Sequence, residues 1–268
     1  MRSDKDFLHR YGPWAVVAGG SEGIGAEFAR QLAARGLRLL LIARRTEPLE
    51  ALAAEVRDRS GVEVCTAAID LASPELPAQL TAAVAGREVG LMVYNAAHSA
   101  MGPFLGRGLD EVLRAVDVNC RGLVTLAHTL GRPMTERRRG GLVVMGSMAG
   151  GHGSPLVATY AGTKAFDLVF AEGLWEELGR DGVDVLVCRA GATRTPAYER
   201  SRPKGGDSLV GEPREVAAAA LASLGVRPVV IPGWRNALAA FFLDRLLPRR
   251  SAIEIMARAV RSMYDGPP

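Results

Sequence analysis

Tyr160 and Lys164 stand four residues apart in a segment of helical period, so their side chains project from one face. Ser147 lies 13 residues before Tyr160, at the end of an apolar run that reads as a strand. A phenol, an ammonium and a hydroxyl grouped in this way can deliver a proton to a carbonyl oxygen. The phenol acts as the acid, and the hydroxyl fixes the carbonyl's approach. An unperturbed phenol has a pKa of about 10, and working near neutrality asks the site for about 4 kcal/mol. The Lys164 ammonium has the sign that favours phenolate. Reduction also needs hydride at the carbonyl carbon, which a cofactor must bring.

A place for such a cofactor follows the first predicted strand, in Ala18-Gly19-Gly20-Ser21-Glu22-Gly23-Ile24-Gly25. Glycines let the backbone turn tightly and approach a pyrophosphate, whose charge meets the unpaired N–H groups of the helix that opens there. The spacing is Gly-x-x-x-Gly-x-Gly, not the Gly-x-Gly-x-x-Gly fingerprint. At the end of the second strand a free ribose 2′-hydroxyl would want an acidic residue. Arg44 and Arg45 stand there instead, followed by Thr46 as a helix cap and Pro48 in the first turn. Two cations at a helix start oppose its dipole unless an anion joins them, and a 2′-phosphate is that anion. NADP (NADPH) is therefore expected, with NAD as the alternative if the arginines are merely solvated.

These residues need a scaffold that brings strand ends and helix starts together. Val- and Leu-rich runs at 14–18, 37–43, 62–69, 89–94, 141–147, 183–189 and 227–231 alternate with helical segments. The expected fold is α/β, a doubly wound Rossmann domain spanning residues 1–268, with a seven-stranded parallel sheet and helices on both faces. Ile24, Phe28 and Leu32 mark the buried face of the first helix after a strand, and Gly36 marks its stop. Residues 192–213, rich in Gly, Pro, Arg and Lys, read as a mobile loop over the substrate. Residues 233–264 read as an amphipathic C-terminal helical extension with Trp234, Leu238, Phe241, Phe242 and Leu246 on one face. Ile253, Met256, Val260 and Met263 continue it. This extension could close the sheet, contact another subunit, cover an apolar substrate or rest on a membrane surface.

Composition narrows the function further. Lys and Arg number 33 against 29 Asp and Glu, too small an excess to argue for nucleic acid. With 48% hydrophobic residues, disorder is excluded, and no apolar run approaches the roughly 20 residues of a membrane span. Residues 1–10 lack the apolar stretch of a secretory signal, so a cytoplasmic location is expected. Cys65, Cys120 and Cys188 read as reduced core thiols, and the four histidines have no metal-ligand spacing. A serine-hydrolase elbow fails, because Met145 stands where glycine is needed two residues before Ser147, and His152 nearby is then a coincidence. Arg137-Arg138-Arg139 reads as a solvated connection.

Taken together, these residues resemble the short-chain dehydrogenase/reductase family from Tyr11 to about Ile231. Gly19, Gly23 and Gly25 are similar to its glycine motif, Asp70-Leu71 to its adenine-contacting position, and Asn95-Ala96-Ala97 to its Asn-Ala-Gly stretch. Asn119, Ser147, Tyr160 and Lys164 resemble its active-site Asn, Ser, Tyr and Lys. Gly191, Thr193 and Thr195 match the segment that holds the nicotinamide carboxamide. The resemblance implies that Asn119 holds a water passing protons to Lys164, that Lys164 also holds the nicotinamide ribose, and that copies pair as a homodimer or homotetramer. The chain departs from the pattern at Ala18, Ala97 and Ala190, where the family usually has Thr, Gly and Pro. None of these moves protons. The stretch from Tyr11 into the glycine turn looks most like the steroid and long-chain 3-ketoacyl reductase branch. That likeness implies an apolar ketone or alcohol as substrate. A nucleotide-sensing protein without turnover is the competing expectation, and the intact Ser147, Tyr160 and Lys164 set argues against it.

Overall fold

The computed structural model describes residues 4–200 and 210–264. Seven parallel strands form one sheet in the order β3-β2-β1-β4-β5-β6-β7. They are β1 (Trp14–Ala18), β2 (Arg38–Ala43), β3 (Val64–Ala68), β4 (Val89–Tyr94), β5 (Gly140–Ser147), β6 (Val183–Ala190) and β7 (Val229–Val230). The central strands β1 and β4 are apolar and buried along their whole length because both their faces are covered, whereas β6 also carries Asp184 and Arg189. In β1, Ala15 and Val17 join the core on one side of the sheet, while Trp14, Val16 and Ala18 join the core on the other.

Helices α2 (Gly23–Ala34), α3 (Thr46–Ser60) and α9 (Pro213–Ser223) cover the first side. Helices α4 (Leu76–Val84), α6 (Gly122–Glu136) and α7 (Ala158–Gly179) cover the second. Phe28 and Leu32 of α2 are fully buried, as their spacing predicts, and Ile24 packs beside them. The strand order reverses between β1 and β4, which leaves a crevice at their carboxyl ends.

Several expectations need correction. Residues 4–11 form a helix, α1, that buries Phe7 and Tyr11, and the Tyr11 hydroxyl donates to Asp184 Oδ2 at 2.6 Å. Two aromatic anchors one turn apart are too faint a pattern to read in a charged segment. Thr46 does not cap α3; Arg45 is the N-cap, with no side-chain bond. Of the three cysteines only Cys188 lies in the core, while Cys65 and Cys120 are half-buried. The Arg137–Arg139 run is tied in: Arg137 donates to Val89 O, Arg138 to Arg180 O and Arg139 to Glu88.

The segment read as an irregular loop begins with the short helix α8 (Pro196–Arg200), and Thr193 bridges to Gly211; residues 201–209 lie outside the described residues. The C-terminal extension is helical as expected, with α10 (Trp234–Phe241), a π turn over Phe242–Leu246, and α11 (Arg249–Tyr264). The Met263 side chain lies outside what is described.

Candidate active site

The turn after β1 is built around glycine. Gly19 and Gly23 have φ of 78° and 58°, left-handed values that favour glycine. A Cβ on Gly19 would meet Ala96 N at 2.6 Å, and one on Gly23 would meet Thr195 Cγ2 at 2.9 Å. A Cβ on Gly25 would run into Gly19 O, so α2 can press on the turn only without one. Asn95 Nδ2 donates to Gly19 O at 2.9 Å and ties β4 to the same turn.

These elements enclose a crevice of about 360 Å³. Gly19, Ser21, Glu22, Gly23, Ile24, Arg44, Arg45, Asp70, Leu71, Asn95, Ala96, Ala97, Tyr160 and Thr195 all line it. Residues distant in sequence, read from separate motifs, thus meet in one cavity that opens at the start of α2. The bare backbone at Gly19 and Gly23 and the exposed helix start fit a pyrophosphate.

At the rim after β2 the two arginines differ. Arg45 donates to Glu22 Oε2 at 2.8 Å, and Arg200 holds the other oxygen of Glu22 at 2.8 Å. Burial works to raise Glu22, but these two cations outweigh it and keep the carboxyl below its ordinary value. Arg44 is exposed and has no hydrogen bond or salt bridge among the described residues. Asp70 is also engaged, accepting from Ala72 N at 3.0 Å and from Arg114 Nη2 at 2.7 Å. Burial pulls its carboxyl upward, and Arg114, the Ala72 N–H and Arg44 together hold it low. Neither the Glu22 bridge nor the Arg114 pair was foreseen. Arg200 lies 178 residues from Glu22, and no local pattern signals such a contact.

Ser147 ends β5 beside Ala190 of β6. Its Oγ accepts from Ala149 N at 3.1 Å, which leaves the hydroxyl proton available to a carbonyl oxygen. The turn that follows packs against α7 so closely that a Cβ on Gly150 would meet Lys164 O at 2.5 Å. This contact holds the Ser147 strand end next to the helix that carries Tyr160 and Lys164. His152 points elsewhere, with Nδ1 3.5 Å from Asp244, so it does not serve Ser147.

Asn119 sits in a π turn, Asp117–Arg121, between α5 (Leu109–Val116) and α6. The buried Tyr94 hydroxyl donates to Val118 O in that turn, and a Cβ on Gly122 would meet this hydroxyl at 2.5 Å. Asn119 Oδ1 accepts from His98 N at 2.7 Å, while its Nδ2 donates to His98 O at 2.9 Å and to Thr163 Oγ1 at 2.8 Å. Both amide protons are thus used to brace the crevice wall against α7.

Lys164 is buried, with Nζ 5.9 Å from the centre of the Tyr160 ring. The ammonium donates to Met145 O at 2.7 Å and to Asp167 Oδ2 at 2.8 Å, leaving one of its three protons. Asp167 is only 1% exposed, and its Oδ1 has no hydrogen-bond partner among the described residues. Burial works to lower Lys164, but Asp167 and Tyr160 outweigh it and lift the ammonium above the ordinary lysine value. Burial likewise pushes the Asp167 carboxyl up, against the pull of Lys164. Sequence reasoning missed Asp167, although its place three residues after Lys164 puts the two on one helix face.

Gly25, Asn119, Ser147, Lys164, Gly191 and Thr193 lie outside the crevice lining. Thr193 Oγ1 is turned back to Gly191 O at 3.0 Å. Among the described residues no cluster of side chains could hold a metal ion, and no helix is long and apolar enough to cross a membrane.

A parallel sheet with a glycine-built crevice at its switch point, and a Tyr-x-x-x-Lys helix facing that crevice, is the arrangement of a nicotinamide-dependent oxidoreductase. The chain belongs to the short chain dehydrogenase family, whose model matches residues 13–205. It is therefore an oxidoreductase of the kind that interconverts ketones and secondary alcohols. Among its relatives is the 7beta-hydroxysteroid dehydrogenase of Clostridium sardiniense, 33% identical over 80% of this chain and 79% of that one. The very-long-chain 3-oxoacyl-CoA reductase of Podospora anserina is 32% identical over 92% of this chain and 76% of its own. A structure solved in a study of 7beta-hydroxysteroid dehydrogenase stereoselectivity superposes with a TM-score of 0.88 at 29% identity, covering 93% of this chain and 98% of that one. A short-chain dehydrogenase from Sphingobium yanoikuyae in complex with NADPH superposes with a TM-score of 0.77 at 31% identity, covering 87% and 92%.

Proposed function

We propose that this chain is an NADPH-linked reductase of an apolar ketone, of steroid or 3-oxoacyl type, running in reverse as an alcohol dehydrogenase. The observation that carries the reading is Tyr160 opening onto the crevice built by the glycine turn, with the Lys164 ammonium behind it. The NADP preference is supported by Arg44, which has no hydrogen bond or salt bridge among the described residues, by Arg44 and Arg45 standing directly after β2 where an acidic residue would favour NAD, and by the NADPH-bound relative. The substrate class is supported by the hydroxysteroid and 3-oxoacyl-CoA relatives.

When bound, the reduced nicotinamide supplies hydride. The backbone N–H groups of Gly19, Ser21, Glu22, Gly23, Ile24 and Gly25 would hold the pyrophosphate, and Arg44 would hold a 2′-phosphate with help from Arg45. Asp70, Leu71, Asn95, Ala96 and Ala97 would line the adenosine and ribose. Gly191, Thr193 and Thr195 would take the carboxamide end. Ser147 donates a hydrogen bond to the ketone oxygen and orients it, keeping its own proton. Tyr160 gives its phenolic proton to the developing alkoxide, and Lys164 stabilises the phenolate left behind. Asp167 and Met145 O fix the Lys164 ammonium in a dry environment, and Asn119 keeps the crevice wall in register with α7.

NAD dependence is the second reading, favoured by Glu22 already occupying Arg45. Pairing of copies through the helices bearing Asn119 and Tyr160 would use side chains exposed there, Val169 and Trp175 among them. The free cysteines suit a reducing cytoplasm.

The test is to follow nicotinamide absorbance with NADPH and NADH against steroidal, 3-oxoacyl and small aromatic ketones. The expected result is a kcat/KM at least tenfold higher with NADPH, and higher for apolar ketones. Equal use of both cofactors overturns the NADP assignment, and no turnover with any ketone overturns the substrate class.

A further inference from the structure

The C-terminal helices place apolar and positive surface together, and none of their residues lines the crevice. Six arginines against Asp244 and Glu254 give residues 234–264 a formal charge of +4, equal to that of the whole chain. The remainder is electrically balanced. The net positive charge of the chain therefore resides in this extension.

Its attachment decides which face is free. The inner face of α10 meets the protein body through Asn236, whose Nδ2 would lie 2.7 Å from a Cβ on Gly191, and through the buried Ala240. Just beyond, Asp244 accepts from Arg189 Nη1 at 2.7 Å and lies 3.5 Å from His152 Nδ1. Arg189 and His152 are both buried, and a Cβ on Gly151 would meet Arg189 Nη2 at 2.6 Å. Asp244 is thus drawn inward as an anchor, so its negative charge is spent on the body.

The opposite face carries Trp234, Leu238 and Phe241, spaced four and three residues apart, with exposures of 72%, 49% and 54%. Arg245 and Arg249 follow in exposed positions with no hydrogen bond or salt bridge among the described residues. An apolar stripe flanked by arginines, held outward on a fixed body, is the pattern of a helix lying in the interface of a bilayer. A second copy is the poorer occupant, because a two-fold contact through this face would bring two patches of like charge together.

We propose that α10 and the turn after it dock on an anionic lipid surface, inserting Trp234, Leu238 and Phe241 among the acyl chains while Arg245 and Arg249 meet lipid phosphates. A basic residue at such a surface contributes enough to change binding several-fold, and the effect falls with salt.

The experiment is co-sedimentation of the full chain with sucrose-loaded vesicles at low and high salt. One set is pure phosphatidylcholine, and the other is an equal mixture of phosphatidylcholine and phosphatidylglycerol. The expected result is binding to the mixed vesicles at least about tenfold stronger than to the neutral ones, weakened by salt. Arg245→Glu with Arg249→Glu should lower it by about tenfold or more, and Leu238→Glu with Phe241→Glu should abolish it. Unchanged circular dichroism and melting midpoints would show that these variants fold. Equal binding to both vesicle types, or none to either, overturns the proposal. So does a wild-type dimer that Leu238→Glu converts to monomer, which assigns the face to a second copy.

Discussion

The two ends of the cofactor crevice treat cations in opposite ways. Behind the Tyr160 end Lys164 and Asp167 form an ion pair whose side chains are 3% and 1% exposed. At the rim after β2 Arg45 and Glu22 pair at 54% and 31% exposure, and Arg44 stands in solvent. Burying a charge costs several kcal/mol unless a partner offsets it, so the inner pair cannot lose a member cheaply. An exposed pair contributes about 0–1 kcal/mol and is screened by salt. The inner end holds one charge fixed beside a phenol, whereas the outer end leaves its charges open to solvent, as the proposed exchange of a charged ligand requires. Dielectric environment separates a fixed, buried charge from exposed charges free to exchange partners, even though both are simple cations.

The contrast is broken most severely at Tyr160. Tyr160→Phe removes the acid and leaves the crevice, so kcat should fall by about 10²–10⁴-fold with little change in NADPH affinity by fluorescence titration. Next comes Asp167→Asn, which strands a buried ammonium. Urea unfolding should report a loss of about 3–5 kcal/mol. The pH profile separates positioning from mere stability. The folded Asp167 carboxyl lies above its unfolded value, so it takes up its proton at a higher pH when folded and does not drive acid unfolding. Its protonation instead unpairs Lys164 within the folded enzyme. Wild-type kcat should therefore have an acid limb above the ordinary carboxylate range, and Asp167→Asn should lack it. An identical limb in both proteins would remove Asp167 from the mechanism. The neighbouring Cys120 thiol, pushed up to about 11 mainly by burial with Asp167 adding to it, should resist alkylation at neutral pH.

What could be read from the letters follows the same division. The glycine turn was legible because backbone approach demands glycine at Gly19 and Gly23 whatever surrounds them. Tyr160 and Lys164 were legible because helical period alone puts them on one face. The central strands were legible because burial on both sheet faces produces mostly apolar runs, broken in β6 only by Asp184 and Arg189. Asp167 also lay on the right face, but an aspartate three residues after a lysine is ordinary on solvated helices, and only its burial gives it meaning. The bridge from Glu22 to Arg45 and Arg200, and the hold of Asp244 on Arg189, join segments that no local pattern connects. Helix α1 stayed hidden because two aromatic anchors among charges carry little period.

At the outer end the expected effects are smaller and depend on salt. Arg44→Asp should cost NADPH affinity about tenfold to a hundredfold, the scale of one hydrogen bond to a charged group, and should raise relative use of NADH. Raising the ionic strength should mimic part of this loss for NADPH and little of it for NADH. The smallest effect tests the bridge itself. Glu22 is held below its ordinary value, so its contribution to stability is present above the unfolded value and is lost as the pH falls through the folded one. That contribution is small because the pair is exposed. Glu22→Gln should leave unfolding nearly unchanged, yet it frees Arg45 for the 2′-phosphate. NADPH affinity should then rise a few-fold at low salt while NADH affinity stays level. If both cofactors instead weakened together, Glu22 would be shaping the pyrophosphate turn, and the outer end would be as rigid as the inner one.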